Sequence, residues 1–177
     1  YIIGTPGYDF PADKLLKIKV NKDIGRAAVI SGRDGTELAS IKGTAAKDAM
    51  GFAVAGGADI DGDGCDDVVV GAPNAGTTRT GTVTVLYGRG EHCGNKTDEA
   101  LNGSQAKSQF GAALALGDVD GDSAPDILVG APKATGDTGL KLAGSVTVYS
   151  GSSLVPLGTP FYGANAKAYA GTSVAAG

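Results

Sequence analysis

The pentapeptide Gly51-Phe52-Ala53-Val54-Ala55 returns 60 residues later as Gly111-Ala112-Ala113-Leu114-Ala115, and after a further 60 as Gly171-Thr172-Ser173-Val174-Ala175. In the first two units an aspartate-rich stretch follows, then an apolar run closing in Gly-Ala-Pro. That run is Val68-Val69-Val70-Gly71-Ala72-Pro73 in one and Ile127-Leu128-Val129-Gly130-Ala131-Pro132 in the other, and Tyr1-Ile2-Ile3-Gly4-Thr5-Pro6 is a third copy. Self-similarity at a fixed period is the signature of a repeat architecture, in which each unit covers its apolar surface on its neighbours.

A glycine-bounded segment comes next: Gly81 to Gly88, Gly144 to Gly151 and, in the first unit, Gly25 to Gly32. A weaker fourth segment lies around Thr36–Ile41, Glu99–Leu101 and Leu154–Leu157. Short β-branched runs punctuated by Gly, Pro and Asp read as strands, so each unit is four short strands. Radial stacking of four-stranded antiparallel sheets makes a β-propeller. The second strands are apolar at successive positions, as a strand covered on both faces requires; a β-sandwich with one solvated face would alternate. The expected fold is therefore all-β, with about three blades' worth of strands. Residues 1–50 form an incomplete blade, 51–110 and 111–170 full blades, and 171–177 the first strand of a further one. Lys14 to Val20, partly alternating, is a candidate extra strand in the longest of the loops between second and third strands.

Between the first and second strands lie Asp59-Ile60-Asp61-Gly62-Asp63-Gly64-Cys65-Asp66-Asp67 and Asp118-Val119-Asp120-Gly121-Asp122-Ser123-Ala124-Pro125-Asp126. Carboxylates at alternate positions of a glycine-bent loop converge on one point and repel unless a cation sits among them, and hard oxygen ligands in that pattern suit Ca²⁺. An EF-hand would need Glu at the twelfth loop position, where this chain has Val70 and Val129, so that reading fails. Convergence on one point also leaves no gap for a substrate between two catalytic carboxylates.

These residues resemble FG-GAP repeats, the blades of integrin-α-type propellers. Phe110-Gly111 matches the first motif, Gly130-Ala131-Pro132 the second, and Asp118 to Asp126 the calcium loop between them; Met50-Gly51, Asp59 to Asp67 and Gly71-Ala72-Pro73 repeat the pattern. The resemblance implies two Ca²⁺ sites. One would be held by the side chains of Asp59, Asp61, Asp63 and Asp67 with the carbonyl of Cys65, the other by Asp118, Asp120, Asp122 and Asp126 with the carbonyl of Ala124. Ser123 and Pro125 depart from the first loop, which bears on the affinity of the second. Up-and-down strand order puts Cys65 and Cys93 on one face of one blade, where a disulfide is geometrically allowed; two free thiols are the alternative.

A net charge of −4 and the absence of a Lys/Arg cluster along the chain argue against nucleic acid. No apolar run approaches the roughly 18 residues that span a bilayer. His92 is the single histidine, in a polar loop; with no Gly-x-Ser-x-Gly and no phosphate loop, hydrolase or nucleotide chemistry has no basis. The chain opens on Tyr1-Ile2-Ile3 with no initiator Met, as a fragment or processed product would. The expectation is a non-enzymatic, calcium-stabilised module, extracellular or at a cell surface, that binds a protein or glycan, as the resemblance implies. Two alternatives stand beside it: a structural homo-oligomer that exchanges terminal strands, and an accessory domain of a larger secreted protein.

Overall fold

The computed structural model describes residues 1–7 and 23–176, so the candidate strand at Lys14 to Val20 lies outside the described residues. Within them the regular structure is entirely β, in three antiparallel meanders. The first sheet contains β1 (Ile2–Thr5), β2 (Arg26–Ile30) and β3 (Glu37–Lys42). The second runs β4 (Ala53–Ala58), β5 (Asp67–Ala72), β6 (Thr82–Leu86) and β7 (Glu99–Asn102). The third runs β8 (Ala113–Gly117), β9 (Asp126–Ala131), β10 (Ser145–Tyr149) and β11 (Phe161–Tyr162). Four-stranded antiparallel sheets that repeat and pack face to face are the blades of a β-propeller. Among the described residues no helix is long and apolar enough to cross a membrane.

Two expected strands lie elsewhere or do not form. In the third sheet the outer strand is Phe161–Tyr162, paired with Ser145 and Val146, and not Leu154–Leu157. Ser150 and Leu154 close a tight turn there, and Pro156 makes a lone bridge to Tyr149. The Ser150 N–H donates to Val155 O (2.9 Å) and the Leu157 N–H to Val148 O (2.8 Å), so the segment touches β10 only around that bridge, between left-handed turns at Leu154 (φ 56°) and Gly158 (φ 88°). Gly171 to Ala175 is bent and irregular instead of extended, because no strand among the described residues offers it a ladder partner.

Every residue of β5 is buried, and its two faces serve different cores. Val69 joins Val83, Val85, Ile127 and Val129 between the second and third sheets. Val68 and Val70 join Ala27, Met50 and Leu86 between the first and second. This is the physical content of the unbroken Val68-Val69-Val70 run: alternate side chains fill opposite seams.

The seams also explain the motif glycines. A Cβ on Gly4, Gly71 or Gly130 would lie 1.9, 2.1 and 2.1 Å from the carbonyl oxygen of Gly51, Gly111 and Gly171, respectively. Each Gly of a Gly-x-Pro motif therefore abuts the backbone that opens the next unit, and only a residue without a side chain permits that approach. The same backbone is fixed from its own blade, where the N–H of Gly51 donates to Gly71 O and that of Gly111 to Gly130 O, at 2.9 and 3.0 Å. Gly71→Ala should destabilise the chain by about 2–3 kcal/mol through overpacking at the seam. Gly7→Ala, where an added Cβ meets nothing among the described residues, should be silent. Urea denaturation of the two variants checks the contrast.

Candidate metal centre

The two acidic loops fold alike because each aspartate captures backbone N–H groups of its own turn. Asp59 Oδ1 accepts from Gly62 (2.8 Å) and Asp63 (3.1 Å), and its Oδ2 from Gly64 (2.8 Å). Asp118 does the same in the second loop, Oδ1 from Gly121 at 2.7 Å and Oδ2 from Ser123 at 3.0 Å. Asp61 and Asp120 each accept from the residue two positions on, at 3.3 and 3.2 Å. The turn needs a left-handed residue where the first loop has Gly64 (φ 90°), and Ser123 takes that conformation at φ 71°. A serine is strained there by about 1 kcal/mol relative to glycine, so the second loop carries a conformational cost that the first does not.

The last aspartate of each loop sits at the start of a second strand and is fully buried. Asp67 Oδ2 accepts from the N–H of Ile60, and Oδ1 from that of Gly88 at the end of the third strand, both at 2.7 Å. Asp126 repeats this with Val119 at 2.8 Å and Gly151 at 3.4 Å. These carboxylates therefore clamp the loop, the second strand and the end of the third strand together. Burial pushes the Asp67 carboxyl above its ordinary range. The N–H groups of Gly88 and Ile60 oppose that shift, and the negative charge of Asp61 adds to it.

Carboxylate oxygens of Asp59, Asp61 and Asp67 lie within 4.8 Å of one another, as do those of Asp118, Asp120 and Asp126. Asp63 and Asp122, expected as ligands, stand outside these groups. Asp63 Oδ1 accepts from the Cys65 N–H (2.8 Å), and Oδ2 from the Gly94 N–H. Asp122 accepts from the Ala124 N–H at 2.8 Å, and among the described residues its side chain has no counterpart of the Gly94 contact. Cys65 is joined to Cys93 by a disulfide, which ties the loop between β4 and β5 to the loop between β6 and β7 and brings Gly94 onto Asp63. The donor set is oxygen throughout, since both cysteines are oxidised and no histidine belongs to either group. Such a set fits a hard divalent cation and not zinc.

Sequence reasoning missed four contributors, Gly88, Gly151, Gly94 and Ile60. Gly88 and Gly151 recur at one position of the repeat, a signal that they hold something in common. Gly94 carries no such signal, because it reaches Asp63 through the disulfide-anchored loop. Ile60, between two aspartates, is buried in the core shared by the second and third sheets, whereas its counterpart Val119 is 53% exposed.

The FG-GAP repeat family model matches residues 50–86 and 110–149, the two segments that carry these loops. The chain carries FG-GAP repeats. It is 34% identical to integrin alpha pat-2 of Caenorhabditis briggsae over 164 residues, 85% of this chain and 13% of that protein. To the phosphatidylinositol-glycan-specific phospholipase D of Bos taurus it is 32% identical over 164 residues, 86% of this chain and 19% of the relative. Integrin alpha-V of Gallus gallus is 30% identical over 135 residues, 74% of this chain and 12% of that protein. The chain thus spans less than a fifth of the length of these relatives, and the likeness to integrin alpha chains is that of an FG-GAP propeller module.

Asp67→Ala in metal-free buffer should cost at least about 3 kcal/mol, because two buried N–H groups lose their acceptor. Asp61→Ala, which removes only a weak turn contact, should change stability by less than about 0.5 kcal/mol under the same conditions. Chemical denaturation in EDTA reads both.

Proposed function

We propose that this FG-GAP module is a non-enzymatic, calcium-stabilised recognition unit that works outside the cell. The observation that carries the reading is the recurrence of one carboxylate triad, Asp59/Asp61/Asp67 and Asp118/Asp120/Asp126, at the same place in two matched repeats. Each triad would hold one Ca²⁺. Asp63 and Asp122 would complete the oxygen set, with the carbonyls of Cys65 and Ala124. The ion would offset the charge repulsion of the loop and brace the hairpin between the first and second strands of its blade. The Cys65–Cys93 disulfide supports an oxidising compartment. The similarity to integrin alpha chains supports adhesion or ligand recognition as the role of the whole protein. The match to a phosphatidylinositol-glycan-specific phospholipase D favours a second reading, an accessory propeller beside a catalytic domain elsewhere in a longer chain.

Calcium should raise the melting temperature, with a gain of about 2.7 kcal/mol at a hundredfold excess over the dissociation constant, and calorimetry should count two ions. Asp61→Asn and Asp120→Asn should each remove one of them. Capture of ligands from arrays of extracellular proteins and glycans should occur in CaCl₂ and fail in EDTA. A melt indifferent to both additions would overturn the calcium reading.

A further inference from the structure

The seam between the second and third sheets opens at its outer side into a groove of about 390 Å³, and none of the residues lining it is charged. One wall is β10, where Ser145, Thr147 and Tyr149 occupy alternate positions and so point the same way. None of these three hydroxyls has a hydrogen-bond partner in the described protein, and none is sealed from solvent. The equivalent strand β6 differs. Thr82, at the position of Ser145, donates to Asn102 Oδ1 at 3.0 Å, and Leu86, at the position of Tyr149, is buried in the preceding seam. Thr84 matches Thr147, so what is particular to this seam is the Tyr149 hydroxyl and a Ser145 hydroxyl not taken up by a neighbouring side chain.

Aromatic rings flank the row, Phe110 from the buried core and Tyr162 from the half-buried outer side. Phe110 meets the Tyr149 ring edge-on with centroids 6.0 Å apart, and Tyr162 lines the outer side. The opposite wall is held rigidly by Gln105, which donates to Thr135 O (3.0 Å) and accepts from the Thr135 N–H (2.7 Å). Burial raises the Tyr149 phenol above its ordinary value, so it stays protonated and able to donate.

We infer that this groove binds a short neutral saccharide, its hydroxyls paired with Ser145, Thr147 and Tyr149 and its C–H face on the half-buried Tyr162. The inference rests on the recognition reading above and names the ligand class for it. An ionic ligand would find no counter-charge. A peptide adding itself as a strand would find no free ladder, since β10 is paired with β9 on one side and β11 on the other. Alternate residues of a strand stand about 7 Å apart, so the three hydroxyls extend over roughly two sugar rings. The volume falls within the range of small-molecule sites, about 300–1,000 Å³.

The test is chemical-shift mapping of the isotopically labelled chain titrated with cellobiose, lactose, maltose and chitobiose in CaCl₂. The expected result is saturable perturbation at Ser145, Thr147 and Tyr149 by at least one of them, unchanged by added NaCl. The triple variant S145A/T147V/Y149F, which keeps the shape of the wall, should melt like the wild type and bind about tenfold more weakly. No saturable shift with any of the four, equal binding by the variant, or a proline-rich peptide titrating these residues in their place would each overturn the inference. A failed calcium reading shows in the melt and a failed groove in the titration, so the two outcomes are distinguishable.

Discussion

Everything in this chain hangs on backbone meeting backbone across a seam. The carbonyls of Gly51, Gly111 and Gly171 press against the Cα atoms of Gly4, Gly71 and Gly130, closer than any side chain would permit. Apolar burial drives the sheets together, but burial is non-directional. The glycine contacts set how the sheets meet. They place the opening of each unit against the second strand of the one before. With that placement Val69 and Ile127 can fill one seam while Val68 and Val70 fill the other. The motif letters of the repeat are thus positions where a side chain would force two blades apart.

The acidic loops are built on that frame and add a second kind of order. Asp67 and Asp126 spend their carboxylate oxygens on backbone donors from their own loop and from the end of the third strand. Their structural role therefore stands whether or not an ion is bound. Asp59, Asp61 and their counterparts are freer, tied chiefly to the turn that they sit on, and their charges are the ones a cation would balance. Cys65–Cys93 makes the two loops unequal, because it brings the Gly94 N–H to Asp63 and leaves Asp122 without a like restraint.

Much of this was legible in the residues. Period, the four-stranded unit and burial of the second strand on both faces all follow from Gly51, Gly111 and the Val68-Val69-Val70 run, since repetition multiplies each local signal. The convergence of loop carboxylates was legible too, because alternation on a short loop constrains where side chains meet, although the structure groups three of the four expected aspartates in each loop and leaves Asp63 and Asp122 outside. What escaped was set by tertiary context. Leu154–Leu157 is as apolar as a strand, but left-handed turns at Leu154 and Gly158 limit it to a single bridge with β10, and the ladder is made by Phe161–Tyr162. Gly171 to Ala175 has an inner strand's composition but no described neighbour to bond. The polar row on β10 was invisible for another reason: Ser, Thr and Tyr at alternate positions are ordinary in a strand, and only the groove in front of them makes them notable.

Ile60 links the two kinds of order. It is flanked by Asp59 and Asp61, yet its side chain is buried among Val85 and Ile127 and reaches Gly151 of the third sheet. A loop that loosens in one blade therefore withdraws a plug from the wall of the next. A displacement of the acidic loop in the second sheet is felt at the end of β10 in the third, instead of ending where it began.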